Sequence, residues 1–184
     1  MRKPRCKTRL FCWAVSGTLL PAVLRYCGVM QPRPYYHLCK SLSDEQPQPV
    51  WPKNVILSAF RPDMIAELHA LLSASYQAVG NTVPPLHDWW QALSTDEEYD
   101  AGLIFPVTDI QGQLIAFAQC WSSAFIKDIV VHPNWRRQGI GEALLLHCFQ
   151  VFQLRGAENV CLKVESNNPF GAERLYRRLG MVDI

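Results

Sequence analysis

The stretch Arg136-Arg137-Gln138-Gly139-Ile140-Gly141 restricts the folding of this 184-residue chain more than any other. It follows a β-rich run at 125–131 and heads a second apolar run, 142–154, whose spacing is helical. A strand that stops in a glycine-containing turn and enters a helix leaves several backbone N–H groups without partners, at the positive end of the helix dipole. Such a corner suits a pyrophosphate. Two common versions of the site are excluded by residues. A dinucleotide fingerprint requires a small residue where Leu144 stands, and a P-loop requires Gly-Lys-Ser/Thr where the chain reads Gly139-Ile140-Gly141.

What remains is Arg-x-x-Gly-x-Gly at Arg136, Gly139 and Gly141, preceded by Val131 and Pro133. Downstream, a strand-like run at 159–164 leads into Asn168-Pro169-Phe170-Gly171-Ala172-Glu173-Arg174-Leu175-Tyr176-Arg177-Arg178-Leu179-Gly180-Met181. By its own chemistry this second segment is a short amphipathic helix. Asn168 suits the N-cap and Pro169 the first helical position. Ala172, Leu175, Tyr176 and Leu179 share one face, Glu173 and Arg177 form an i,i+4 pair, and Gly180 fits a left-handed C-cap. On that reading Tyr176 is a core-facing aromatic.

Together the two segments resemble the GNAT acetyltransferase superfamily: the first its acyl-CoA-binding motif, the second its Asn-x-x-(x)-Ala-x-x-Leu-Tyr-x-x-x-Gly-Phe signature, with Met181 in place of Phe. The resemblance implies transfer of an acetyl group from acetyl-CoA, as co-substrate, to a primary amine by direct attack. The acceptor is a small molecule, a protein N-terminus or a lysine. It implies that the backbone of Ile129, Val130 and Val131 bonds the pantetheine like an added strand, and that Arg136, Arg137, Gln138, Gly139, Ile140, Gly141 and Glu142 cradle the pyrophosphate. It makes Tyr176 the general acid toward the departing thiolate, and Asn168 the group that orients the thioester or a water. Asp128, His132 and Glu165, at or near the ends of the two central strands, are the base candidates. No one of them is singled out, and water-mediated deprotonation fits equally. His87, Asp88, Trp89 and Trp90 fall where the family shapes its acceptor site.

Charge and cysteine usage narrow the class further. Residues 1–43 hold eight Lys/Arg and no acid, whereas the remainder carries all 16 acidic residues against 10 basic ones and is acidic by six charges. That excludes nucleic acid, and an anionic membrane, as the domain's expected partner. Seven cysteines, with no Cys-x-x-Cys, offer neither a disulfide framework nor a metal site. Cys120, Cys148 and Cys161 read as small apolar fillers in a reducing compartment.

Three regions follow. Residues 1–29 are basic and then apolar, which reads as a targeting segment, a membrane anchor, or an upstream extension with translation starting at Met30; the last fits a cytoplasmic CoA enzyme best. Residues 30–53 are a Pro-rich linker, and 54–184 form the domain. Its expected order is strand (55–60), helix (62–76), helix (86–93), hairpin (101–108 with 113–121), strand, helix, strand, helix. The fold class is α/β: a mixed, mostly antiparallel GNAT-like sheet flanked by helices, with the family's C-terminal strands missing. Without them the strand at 159–164 has an open edge. Either the sequence is a truncated product or a partner chain completes the sheet, which points to a homodimer through that edge. The competing function is therefore a catalytically inactive or truncated GNAT-like module that binds CoA or a partner.

Overall fold

The structure is a computed structural model and describes residues 35–166 and 168–184. The targeting-like segment at 1–29 lies outside the described residues. The chain forms β1 (Tyr35–Ser41), β2 (Val55–Leu57), α1 (Ile65–Gln77), α2 (Leu86–Ser94), β3 (Ile104–Asp109), β4 (Leu114–Trp121), β5 (Phe125–Val131), α3 (Ile140–Leu154), β6 (Asn159–Glu165), α4 (Ala172–Arg178) and β7 (Val182–Asp183). All described strands join one sheet in the order β2-β3-β4-β5-β6-β1-β7. Every pairing is antiparallel except β5 with β6.

Local chemistry accounts for most elements. The hairpin β3–β4 turns at Asp109-Ile110-Gln111-Gly112, where Gly112 takes φ +84° and the Asp109 carboxylate accepts from the N–H groups of Gln111 and Gln113, each at 2.9 Å. Helix α1 buries Met64 at its N-cap, then Leu68, Leu71 and Leu72. These pack with Trp89 and Leu93 of α2 against Ile104, Leu114, Phe117 and Val130 of the sheet. Helix α3 buries apolar groups around most of its circumference, from Ile140 to Phe152. It forms a second core with Phe105, Val107, Ile115, Ile126, Val160 and Leu162, joined by Tyr176 and Met181. The sheet is thus covered on two faces by two separate apolar layers.

The outer half of the sheet departs from the sequence reading. Residues 35–41, assigned there to an irregular linker, form a strand that pairs with β6 over its full length, from Tyr35 opposite Glu165 to Ser41 opposite Asn159. Leu38, with 0% exposure, enters the α3 core opposite Leu162. The edge of β6 expected to be open, and with it the motive for a homodimer, is therefore filled by the chain's own strand. A two-residue β7 then pairs with β1 beyond it. The open-edge expectation failed because it considered only the sequence following β6. Two smaller boundaries also shift: the first domain strand ends at Leu57, and α4 begins at Ala172 with Gly171 as its N-cap. Among the described residues, no helix is long and apolar enough to cross a membrane.

Candidate active site

Strands β5 and β6 run parallel but are paired only at Phe125 with Cys161 and Ile126 with Leu162. Beyond that point β5 continues to Val131 and β6 to Glu165 without pairing to one another. The sheet opens there into a cleft. A register shift in the β4–β5 ladder between Gln119 and Cys120 marks a bulge at the same level. The β5 backbone along the cleft holds Ile129, Val130 and Val131, and the Val131 carbonyl accepts from Arg136 Nε at 3.1 Å. That guanidinium also lies over the Phe170 ring, 4.0 Å from its centroid, and burial pulls its pKa below the ordinary arginine value.

The mouth of the cleft is the turn into α3. Arg137 and Gly139 adopt left-handed backbone, φ +62° and +88°, and Gly139 is the N-cap. Alternating handedness of this kind turns successive N–H groups toward one concave side. The amides of Gly139, Ile140, Gly141 and Glu142, at the N-cap and in the first turn of α3, donate no backbone hydrogen bond to any described residue. Gly141 packs between two side chains: a Cβ there would lie in ordinary van der Waals contact with Val131 Cγ2 at 3.7 Å and Leu175 Cδ2 at 3.8 Å. Glu142 would oppose an anion at this place, but Arg178 engages its carboxylate with two nitrogens at 3.2 and 2.8 Å. The pair ties α4 to the first turn of α3.

Tyr176 lies on α4, 6% exposed and packed in the α3 core. Burial, reinforced by the nearby Asp128 charge, raises its pKa well above that of an ordinary phenol, so the hydroxyl keeps its proton. Asn168 is not the helix N-cap. Its Oδ1 accepts from the Phe170 N–H at 3.0 Å while its own N–H donates to the Glu165 carbonyl, making a turn that carries the chain from β6 to α4. Sequence reasoning placed the cap three residues early because Asn-Pro suits both a cap and a turn.

The three base candidates part company. His132 is a capping residue, its Nδ1 accepting from the Asn134 N–H at 3.3 Å. Asp128 is 5% exposed, and both carboxylate oxygens are engaged, by Tyr76 Oη at 2.6 Å and Lys127 Nζ at 2.7 Å. Glu165 accepts from Asn81 Nδ2 at 2.7 Å. Tyr76 and Asn81, at the end of α1 and just past it, were missed by the sequence reading, since nothing local in that segment announces a partner 52 or 84 residues away. The Asp128 charge, then burial, raise the Tyr76 pKa far above its ordinary value. Trp89 is buried, and Trp90 packs on Phe60 and Tyr99, so the paired tryptophans are largely core, whereas His87 and Asp88 are exposed.

Known proteins share this fold. The profile described as "Acetyltransferase (GNAT) family" matches residues 65–181, so the chain belongs to the GNAT acetyltransferase family. A ribosomal protein bS18-alanine N-acetyltransferase of Escherichia coli K12 is 32% identical over 95 residues, 50% of this chain and 63% of that protein. The chain thus spans less than two thirds of the curated relatives it matches. The crystal structure of a GCN5-related N-acetyltransferase from Sphaerobacter thermophilus superposes with a TM-score of 0.67 at 25% identity, covering 82% of this chain and 48% of that one. The ribosomal-protein-S18-alanine N-acetyltransferase of Escherichia coli gives a TM-score of 0.56 at 25% identity, over 68% of this chain and 76% of the other.

Proposed function

We propose that the protein is an N-acetyltransferase that binds acetyl-CoA in the β5–β6 cleft and transfers the acetyl group to a primary amine. The observation that carries this reading is the opening between β5 and β6, which ends at four amides without backbone partners on the N-terminal side of α3. In the cleft, the backbone of Ile129 to Val131 bonds the pantetheine as an added strand would. The amides from Arg137 to Glu142 and the Arg136 side chain hold the pyrophosphate. The amine attacks the thioester carbon directly, and the C–S bond breaks. Tyr176, protonated at neutral pH as a phenol is, gives its proton to the departing thiolate. Asn168 acts through the turn it fixes, which sets α4 and hence Tyr176 against the cleft. Asp128, with both oxygens engaged, locks α1 to β5, and the amine proton leaves through water at the open mouth. Most of the rate enhancement comes from holding the reactants together.

The acceptor we favour is a protein α-amino group, because the relative named above is a ribosomal protein bS18-alanine N-acetyltransferase, and alanine carries no side-chain amine. The module that binds CoA without turnover loses its main support once β1 completes the sheet. Titration calorimetry with acetyl-CoA, followed by a thiol-release assay over N-terminal peptides, lysine peptides and small amines, tests the reading. We expect binding, and release fastest with an N-terminal peptide. Binding without release across the panel would leave only the non-catalytic module. Gly141→Glu is expected to raise the acetyl-CoA Kd at least about 100-fold, since it sets a like charge where the diphosphate lies. Retained affinity would refute the placement of the cofactor.

A further inference from the structure

Strand β1 is joined to β6 by more than its ladder. Cys39 and Cys161 stand directly opposite one another, Cα atoms 4.1 Å apart, and form a disulfide across 122 residues of sequence. The place of that bond in the cleft is telling. Cys161 is in register with Phe125, its N–H donates to the Ala124 carbonyl at 3.0 Å, and one residue further on the β5–β6 ladder ends. The covalent link therefore sits at the vertex from which the cleft opens, on the strand that forms one of its walls.

Strand alternation puts His37, Cys39, Cys161 and Lys163 on one side of the ladder, opposite to Leu38 and Leu162, which enter the α3 core. On that side the Phe125 ring packs edge-on to His37, their centroids 6.3 Å apart. Cys161 is half-buried and Lys163 exposed, so small solutes reach this face. The contrast with Cys120 and Cys148 is instructive. Those two thiols are fully buried in the α3 core, joined by a thiol hydrogen bond at 3.8 Å, and form no disulfide. Of the bonded pair, Cys39 is buried at 8% exposure and Cys161 is the sulfur that solvent can reach.

We propose that Cys39–Cys161 is a reversible thiol–disulfide exchange site for a low-molecular-weight monothiol and its disulfide, and that its oxidised form braces the vertex of the acyl-CoA cleft. The bracing half rests on the function proposed above; the exchange half does not. In the reducing direction a monothiolate attacks the Cys161 sulfur, the S–S bond breaks, and Cys39 leaves as a thiolate that takes up a proton. A second monothiol then displaces Cys161, giving the protein dithiol and one molecule of the small disulfide. Two electrons pass from two monothiols to the protein, and the small disulfide reverses both steps. The Lys163 ammonium, two residues along on the same face, favours approach of an anionic thiolate. With the bond closed, β1 cannot part from β6. With it open, β1 is held by hydrogen bonds and packing alone, and the β6 wall gains freedom at its outer edge.

The full chain is equilibrated in glutathione buffers from fully reduced to fully oxidised and quenched with an alkylating agent. Mass spectrometry then quantifies the Cys39–Cys161 cross-link. Hydrogen exchange of residues 35–41 and acetyl-CoA calorimetry are run on the same samples. The cross-linked fraction should follow one curve in both directions. Amides of β1 should exchange at least about tenfold faster in the reduced form, and the acetyl-CoA Kd should rise about threefold or more. A Cys39→Ser/Cys161→Ser variant should match the reduced form at every ratio. Free thiols at all ratios would overturn the exchange site. So would stoichiometric zinc in the reduced protein that blocks reoxidation until a chelator removes it, because His37, Cys39 and Cys161 would then be a metal site. Equal exchange and equal affinity in both forms would overturn the bracing. Absence of acetyl-CoA binding in both forms would strike the proposed function while leaving the redox curve intact.

Discussion

The turn from β5 into α3 and the outer sheet β6–β1–β7 build the two sides of one cleft, yet they are made in opposite ways. The first is contiguous: strand, left-handed turn and helix follow within residues 125–154, and each step is dictated by neighbours in sequence. The second is assembled from afar. Strand β1 meets β6 across more than a hundred residues, is buried through Leu38, and is fastened by Cys39 to Cys161. A strand–turn–helix corner can thus be written into a short segment, while the strand that completes the sheet beside it depends on closing a long loop, whose entropic cost rises only slowly with length.

If β1 is as integral as β5, Leu38→Ala should cost about 3–5 kcal/mol in urea unfolding, similar to Leu144→Ala in α3. A loss below about 1 kcal/mol would make β1 a passive flap and end the comparison. Opening the cross-strand bond in Cys39→Ser/Cys161→Ser should remove about 2–4 kcal/mol, given the 122-residue separation. An unchanged unfolding midpoint under oxidising conditions would show that the ladder alone holds the strand. Tyr176→Phe tests the contiguous side. Turnover should fall about 10²-fold with acetyl-CoA affinity within twofold, and an unaffected kcat would remove Tyr176 as the acid.

Smaller effects sharpen the contrast. Tyr76→Phe breaks the 2.6 Å bond to Asp128, and at neutral pH should cost about 1–3 kcal/mol. The folded-state pKa of Tyr76 is raised, so its contribution is complete below the unfolded value of about 10 and is lost as pH rises beyond it. The deficit of the variant should therefore shrink above pH 10, as chemical denaturation at pH 7 and pH 11 would reveal; a constant deficit would contradict the buried phenol. Least is expected of Glu142→Gln. Its bond to Arg178 lies between side chains 34% and 61% exposed, so the loss in unfolding free energy should stay under about 1 kcal/mol.

How much of this was legible in the residues depends on range. The strand at 125–131, the turn around Gly139 and the helix through Leu154 are visible because strand spacing, glycine and helical apolar spacing follow one another in one segment. The Glu173–Arg177 pair and the left-handed Gly180 were legible for the same reason. The role of Tyr76 was not, since a tyrosine near a helix end carries no mark of the carboxylate it meets. Cys161 looked like one apolar filler among several, because only strand register brings Cys39 opposite it.

The sequence by itself determined the family, the mixed sheet and the turn from β5 into α3, for these follow from side-chain periodicity and from backbone conformations that glycine alone adopts without strain. Tertiary structure alone decided which strand covers β6, which thiols join and which carboxylates are already engaged. Those outcomes depend on register between segments far apart in the chain, and register is fixed only when both apolar faces are buried together.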